Sequence, residues 1–422
     1  MTNSQRNWAG NIEYSAARWH WPETVEQAQE IVRASRKLRV VGSRHSFNAI
    51  ADTPADMLSL ERLPEQLTVD AAGQTVTVSA GLRYGRLGQL LDAAGYALHN
   101  MASLPHISVA GACATATHGS GDQNGNLPSA VSALEFIRAD GQLARLSRAQ
   151  HPDEFYGAVV ALGALGVVTA LTLDIAPAFE MRQEVYEDLP WAQVEAHFDE
   201  ITASAYSVSL FTDWQSEHIN QVWLKRRIAA GETFEPAPEF FGARPASRKM
   251  HPIGALPADS CTEQLGQRGR WHERLPHFRM DFTPSAGEEL QTEYLLPRAN
   301  ALAALRAARA LREPIGRLLM ISEIRTVAAD RLWMSPCYQQ PCVALHFTWQ
   351  PDWPAVSQQQ PRLEAQLAPL GARPHWGKLF TLPPAQVQAG YPRLADFRQL
   401  LHTYDPDGKF RNAFVDRNIF SV

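Results

Sequence analysis

Residues 100–121 read NMASLPHISVAGACATATHGSG, a stretch of small side chains with no acidic or basic group other than His106 and His118. So little bulk lets backbone pack against backbone, or lets main-chain N–H groups come close to a ligand. One reading is a tightly packed loop and strand pair inside a core. The other is a cradle whose oriented backbone donors hold a pyrophosphate without formal positive charge, which suits a dinucleotide. Neither a Walker lysine motif nor a Rossmann GxGxxG occurs, so standard ATP and NAD sites have little support.

The chain has 422 residues, more than one hydrophobic core usually organises, and two or three folding units are expected. With 45% hydrophobic and 20% charged residues it has the composition of a folded globular protein. Thirty-nine Lys plus Arg against 44 Asp plus Glu give a formal charge of −5. No global positive field draws nucleic acid or anionic lipid, so neither is expected as a partner. Cys113, Cys261, Cys337 and Cys342 show no disulfide framework and no CxxC pair. Buried free thiols in a reducing compartment are expected, although Cys337 and Cys342 are close enough in sequence to be linked. The N-terminus lacks the basic and apolar segments of a secretory signal, and a cytoplasmic location fits. The longest apolar run, residues 157–173, is too short and too glycine-punctuated for a membrane span. It reads as a helix end running into a buried strand.

The first 180 residues mix strand and helix signals. Thr24-Val25-Glu26-Gln27 is a capping-box pattern opening a helix, followed by the short strand Leu38-Arg39-Val40-Val41 and the loop Gly42-Ser43-Arg44-His45-Ser46. Two alternating segments around an Ala-Ala-Gly-Gln turn predict a hairpin of 67–70 with 75–79, and a helix follows near 84–94. This half is α+β. Beyond about 180 strand-like segments dominate, interrupted by a Pro/Gly-rich region at 234–256. The expected division is 1–180, 181–375 and a C-terminal segment, 376–422, that returns to the first unit.

Three strand-like stretches of the second half carry polar residues at alternate positions. The period of two puts Gln291 with Glu293, Glu323 with Arg325, and His346 with Thr348 on single faces. Opposite the last pair, Val343, Leu345, Phe347 and Trp349 must pack in a core, so His346 and Thr348 face something else. A sheet with one wet face is the plainer reading. Three such strands together suggest a pocket of donors and acceptors for a polyhydroxylated substrate. His45 lies alone on its glycine-flanked loop, and Pro374-His375-Trp376-Gly377-Lys378 sets an aromatic between two titratable groups. No HExxH occurs and His106 with His118 lacks a third ligand, so no metal is expected.

In order along the chain, NWAGN, VVGSRHSFN, NMASLPHISVAG, THGSG, LGALGVVT, EIRTVAAD, HFTW, RPHWGK and DPDGKFRNAF resemble the FAD-linked oxidases of the vanillyl-alcohol oxidase type, and among them those that oxidise alditols. The resemblance covers almost the whole chain. It implies a two-domain α+β fold of the vanillyl-alcohol oxidase/PCMH type, with a sheet-based cap domain for substrate. It also implies FAD covalently attached through His45. Val40, Val41, Gly42, Ser43, Arg44, Ser46, Ser103, Ser108, Gly111, Thr115, Ala116, Thr117, His118, Val168 and His375 match cofactor-binding positions. Glu323, Arg325, His346, Thr348 and Lys378 match the substrate wall, with Gln291 reading more distant hydroxyls and Ser103 beside the flavin. Arg44 departs from the pattern, standing where a glycine is expected.

The implied reaction takes hydride from a terminal CH2OH to flavin N5 and ends with O2 reduced to hydrogen peroxide. Arg325 cannot accept a proton and would stabilise alkoxide charge, which leaves Lys378 or His346 as the base. Glu323 would fix the next hydroxyls, and Ala102 would leave O2 a path. Expected partners are a small polyol and O2, and a monomer is expected. The alternatives are an aldonolactone oxidase or dehydrogenase of the same family and a non-catalytic polyol-binding protein.

Overall fold

The computed structural model describes residues 5–229, 231–282 and 289–421. Its first layers are a three-stranded parallel sheet ordered Arg18–His20, Asp56–Ser59, Leu38–Val41, and a five-stranded antiparallel sheet. The hairpin of Leu67–Asp70 with Thr75–Ser79 forms one edge of the latter, paired on to Val167–Asp174, Val131–Ile137 and Leu143–Ser147. The helix Val25–Ala34 begins where the capping pattern places it, with Thr24 Oγ1 accepting from Gln27 N at 3.2 Å. The reciprocal bond differs from a capping box: Gln27 Oε1 accepts from Glu23 N, one residue earlier than the cap.

The apolar run at 157–173 resolves into three pieces. The helix Pro152–Ala158 ends early, 159–166 is an irregular turn, and the strand Val167–Asp174 alternates buried with half-buried residues. The turn exists because Arg39, 2% exposed, needs acceptors. Its guanidinium donates to Leu162 O (2.8 Å), Gly163 O (2.9 Å), Phe410 O (2.7 Å) and Ile50 O. A buried cation is tolerated only when its donors are satisfied. Those bonds also tie the C-terminal segment to the N-terminal strand, and Lys409 ties it to the Val25–Ala34 helix and the turn after Val131–Ile137, its Nζ donating to Val32 O and Ala139 O.

The largest sheet is antiparallel along its main path. It runs from Glu180–Pro190 through His218–Arg227, Ser207–Thr212, Leu319–Val327 and Cys342–Trp349 to Leu290–Pro297. One face packs a core of Leu210, Ile324, Val343, Leu345, Phe347 and Trp349 under the helices Ala301–Ala310 and Trp353–Leu367. A separate core gathers residues of the first 175 positions with Leu332, Trp333, Met334 and the stretch 376–419. All four cysteines are buried and free, Cys337 and Cys342 included. No helix among the described residues is long and apolar enough to cross a membrane.

Candidate active site

The second face of the large sheet is polar because its strands alternate in register. Glu323 pairs with His346, and His346 with Glu293, so the three stand side by side across neighbouring strands. Gln291 and Thr348 stand opposite one another two residues further along. This face closes a cavity of about 250 Å³. Its other walls are the loop after the Leu38–Val41 strand, residues 102–108, and the short helix Val109–Ala114.

His45 and Lys378 line this one cavity, and the chain there is stitched together. Phe47 N donates to Gly377 O at 2.8 Å, and Asn48 Nδ2 donates to Trp376 O and Lys378 O at 2.9 and 2.6 Å. Leu379 N and His375 N donate to Gln291 O and Glu293 O, each at 2.9 Å, so the histidine loop, the HWGK segment and the polar strand form one assembly.

On the sheet side Arg325, 6% exposed, is clamped by two carboxylates. Its Nη2 donates to Glu293 Oε1 at 2.5 Å, Nε lies 3.5 Å from Glu323 Oε2, and Nη1 reaches Ser103 Oγ at 3.3 Å. Burial would raise both carboxyls, but Arg325 with the neighbouring histidines holds Glu293 and Glu323 well below the usual carboxylate range. Glu323 Oε1 accepts from His277 Nε2 at 2.7 Å, and His118 Nε2 lies 3.1 Å from Glu293 Oε1. His346 Nε2 meets Thr348 Oγ1 at 3.2 Å, with Nδ1 3.5 Å from Glu293 Oε2.

Lys378 Nζ donates to Gln291 Oε1 and lies 4.6 Å from the centre of the Phe47 ring. Burial lowers its pKa to about 8, against the pull of Glu293 and Glu289. Burial likewise lowers His346, and it pushes His375 down to about 3.

On the loop side Ser43 and Ser108 bond reciprocally, Ser108 N to Ser43 Oγ at 2.9 Å and Ser43 N to Ser108 Oγ at 3.3 Å. A Cβ at Gly42 would collide with Ser108 Oγ, and one at Gly111 would sit 2.8 Å from the same atom. Both glycines line the cavity, and a side chain at either would crowd the serine pair. His45 stacks on Trp8 with ring centroids 5.5 Å apart, and its buried Nδ1 has no hydrogen-bond partner among the described residues. Burial, then His106 and Arg83, push its pKa down to about 3, so the imidazole is neutral. Arg44 has φ +63°, the left-handed conformation that a glycine would take freely. Its guanidinium lies 5.4 Å from the centre of the Trp19 ring and 3.9 Å from Glu61.

Of the residues expected at the site, Val41, Gly42, Ser43, Arg44, His45, Ser46, Ala102, Ser103, Ser108, Gly111, Thr115, Thr117, His118, Gln291, Glu323, Arg325, His346, Thr348, His375 and Lys378 line the cavity. Val40, Ala116 and Val168 do not. Glu293, seen in the sequence only as the partner of Gln291 on a strand face, is the carboxylate that Arg325, His118 and His346 share. His277 and Phe211 also line the cavity, and no motif marks them; Trp8, from the NWAGN motif, lines it too.

Residues 16–147 match the FAD binding domain family, and residues 284–418 match the D-arabinono-1,4-lactone oxidase family. Over 98% of its length the chain is 49% identical to the alditol oxidase of Streptomyces sp. (strain IKD472 / FERM P-14339), covering 99% of that protein. The chain belongs to the alditol oxidase family. It is 24% identical to the L-gulonolactone oxidase of Mus musculus, across 98% of this chain and 97% of that one. Among solved structures, cholesterol oxidase from B. sterolicum superposes with a TM-score of 0.76 at 15% identity, covering 98% of this chain and 96% of the other. The fold is the α+β vanillyl-alcohol oxidase type, and the protein is an FAD-dependent oxidoreductase. The residues present fit that cofactor. The small-residue wall brings the side-chain-free backbone of Gly42 and Gly111 into the cavity lining, where a phosphate can approach the main chain closely, and His45 offers a neutral, unpartnered nitrogen inside the same cavity.

Proposed function

We propose that this protein oxidises the terminal CH2OH of alditols such as xylitol and sorbitol to the aldose, using FAD linked covalently to His45. The observation that carries the reading is the convergence of Glu323, Arg325, Gln291, Thr348 and Lys378 on one wall of the cavity that also holds His45. Each substrate hydroxyl buried there needs a partner, and this wall supplies carboxylate, guanidinium, amide, hydroxyl and amine. FAD, when bound, supplies the hydride acceptor and the route by which two electrons reach O2 to give hydrogen peroxide.

The chain's own part is binding and proton handling. Lys378 Nζ takes the hydroxyl proton, because its lowered pKa leaves free amine near neutrality. His346 is less suited, with Nε2 already engaged by Thr348. Arg325, a fixed cation, stabilises the oxyanion left when that proton departs. Glu323 and Gln291 accept or donate to the hydroxyls further along and so set which carbon reacts. Ala102, 6% exposed on the cavity wall, leaves space for O2 to approach. In this reading residues 1–180 with 376–422 hold the cofactor and 181–375 hold the substrate, and the protein works as a cytoplasmic monomer.

The match of residues 284–418 to a lactone oxidase family favours a second reading, oxidation of an aldonolactone. Peroxide production from xylitol, sorbitol, mannitol and glycerol, measured beside L-gulono- and L-galactono-lactone, separates the two. Preference for a lactone overturns the alditol assignment.

A further inference from the structure

Behind the substrate wall lies a buried cation that the reaction as described does not use. Lys225 is 1% exposed and does not line the cavity. Its strand, His218–Arg227, alternates Val222 and Leu224 into the helix-side core with Gln221, Trp223 and Lys225 on the other face. Nζ has three acceptors for its three protons: Leu275 O, Pro276 O at 3.0 Å, and His277 Nδ1 at 3.0 Å. The other nitrogen of that ring, Nε2, meets Glu323 Oε1 at 2.7 Å. Phe211 and Trp223 pack edge-on against the imidazole, with centroids 5.5 and 5.2 Å away, so the ring cannot turn.

The direction of these bonds is determined. While Lys225 is charged, below about pH 7, it has only donors, so His277 Nδ1 accepts. A neutral imidazole that accepts at Nδ1 carries its proton on Nε2, and that proton points at the Glu323 carboxylate. The opposite tautomer would set two lone pairs against each other at 2.7 Å. Resting on the alditol reading, we infer that Lys225 is a positioning residue that fixes the tautomer of His277 and thereby holds Glu323 oriented toward the substrate. Its neighbours support this. Lys225 faces Glu323, Cys261, Arg325 and Arg274 besides His277, and burial lowers it only to about 7. Burial, then Lys225 itself, push His277 down to about 4, so the ring stays neutral while the lysine is charged.

The test is Lys225→Met, alone and combined with His277→Gln, in flavin-loaded protein whose folding is checked by thermal melting. A glutamine amide donates to Glu323 without help from a lysine. The expected result is a loss of about 10- to 100-fold in kcat/KM for xylitol in Lys225→Met, the range typical of partners that orient a functional group from behind. In the His277→Gln background the same change should cost at most about twofold, since the two residues act as one unit. The pH profile carries a sign. Removing Lys225 removes a cation that depresses His277, and a doubly protonated imidazole again donates to Glu323. The loss in the variant should therefore be largest while Lys225 is charged and the variant's His277 is neutral, shrinking as pH rises through about 7, where the wild-type lysine gives up its proton, and again as pH falls far enough to protonate His277 in the variant. Nitrogen spectra of isotope-labelled histidines, with the His277 signals assigned by their loss in His277→Gln, should show Nε2–H in the wild type. Nδ1–H in the wild type, a flat ratio across pH, or equal losses from Lys225→Met in both backgrounds would each overturn the inference. If Lys225→Met does not fold, the tautomer signal decides alone. Wild-type protein that oxidises no alditol would instead overturn the functional reading, and the inference with it.

Discussion

Replacing Lys378 by methionine tests the proposed base directly, because methionine keeps most of the apolar stem and removes the amine. With a pKa of about 8, roughly a quarter of the lysine is free amine at a pH of about 7.5, against about one part in a thousand for an ordinary lysine. Burial beneath the sheet thus raises the reactive form about two-hundredfold at neutral pH. The sign follows. Free amine grows as pH rises through 8, so wild-type kcat/KM for xylitol should climb along an alkaline limb centred there and level off above it. In Lys378→Met the flavin should remain bound, the limb should vanish, and turnover should fall by about 10²- to 10⁴-fold, the usual contribution of a general base. Anaerobic stopped-flow of flavin reduction at several pH values reads the step itself. A variant that keeps the limb and loses less than about tenfold would move the proton to His346 or to solvent.

Three further outcomes are expected. His45→Ala should leave a flavin that is released on acid precipitation, whereas wild-type protein should stay yellow; equal release from both would rule out attachment at His45. Gly42→Ala should lower flavin occupancy because its Cβ collides with Ser108 Oγ, and adding Ser108→Ala should restore part of it. A single variant with full occupancy would show that the backbone there does not need to be bare. Ala102→Leu should slow reoxidation by O2 while anaerobic flavin reduction is unchanged, and an unchanged oxidative rate would remove Ala102 from the oxygen path.

Local signals in the chain were reliable where the physics is local. The 67–79 hairpin and the Thr24 cap depend on neighbours a few residues away, and both form where the pattern puts them. The polar faces at 291–293, 323–325 and 346–348 were legible because a strand's period of two is a backbone property. The packing of Val343, Leu345, Phe347 and Trp349 on the opposite side follows from the same period. The run at 157–173 was less legible, since the break after Ala158 answers a demand set by Arg39, more than a hundred positions away. Arg44 shows the converse: a glycine expectation was met in conformation, at φ +63°, by a residue other than glycine.

What the amino-acid order determined by itself was which residues could share a face, where small side chains would bare the backbone, and the family to which the motifs belong. It could not rank the polar residues within a face. Glu293 became central and Lys225 became a buried cation only when strands distant in sequence came into register and excluded water. Charge, pKa and tautomer depend on partners and solvent exposure, and those are properties of the assembled sheet.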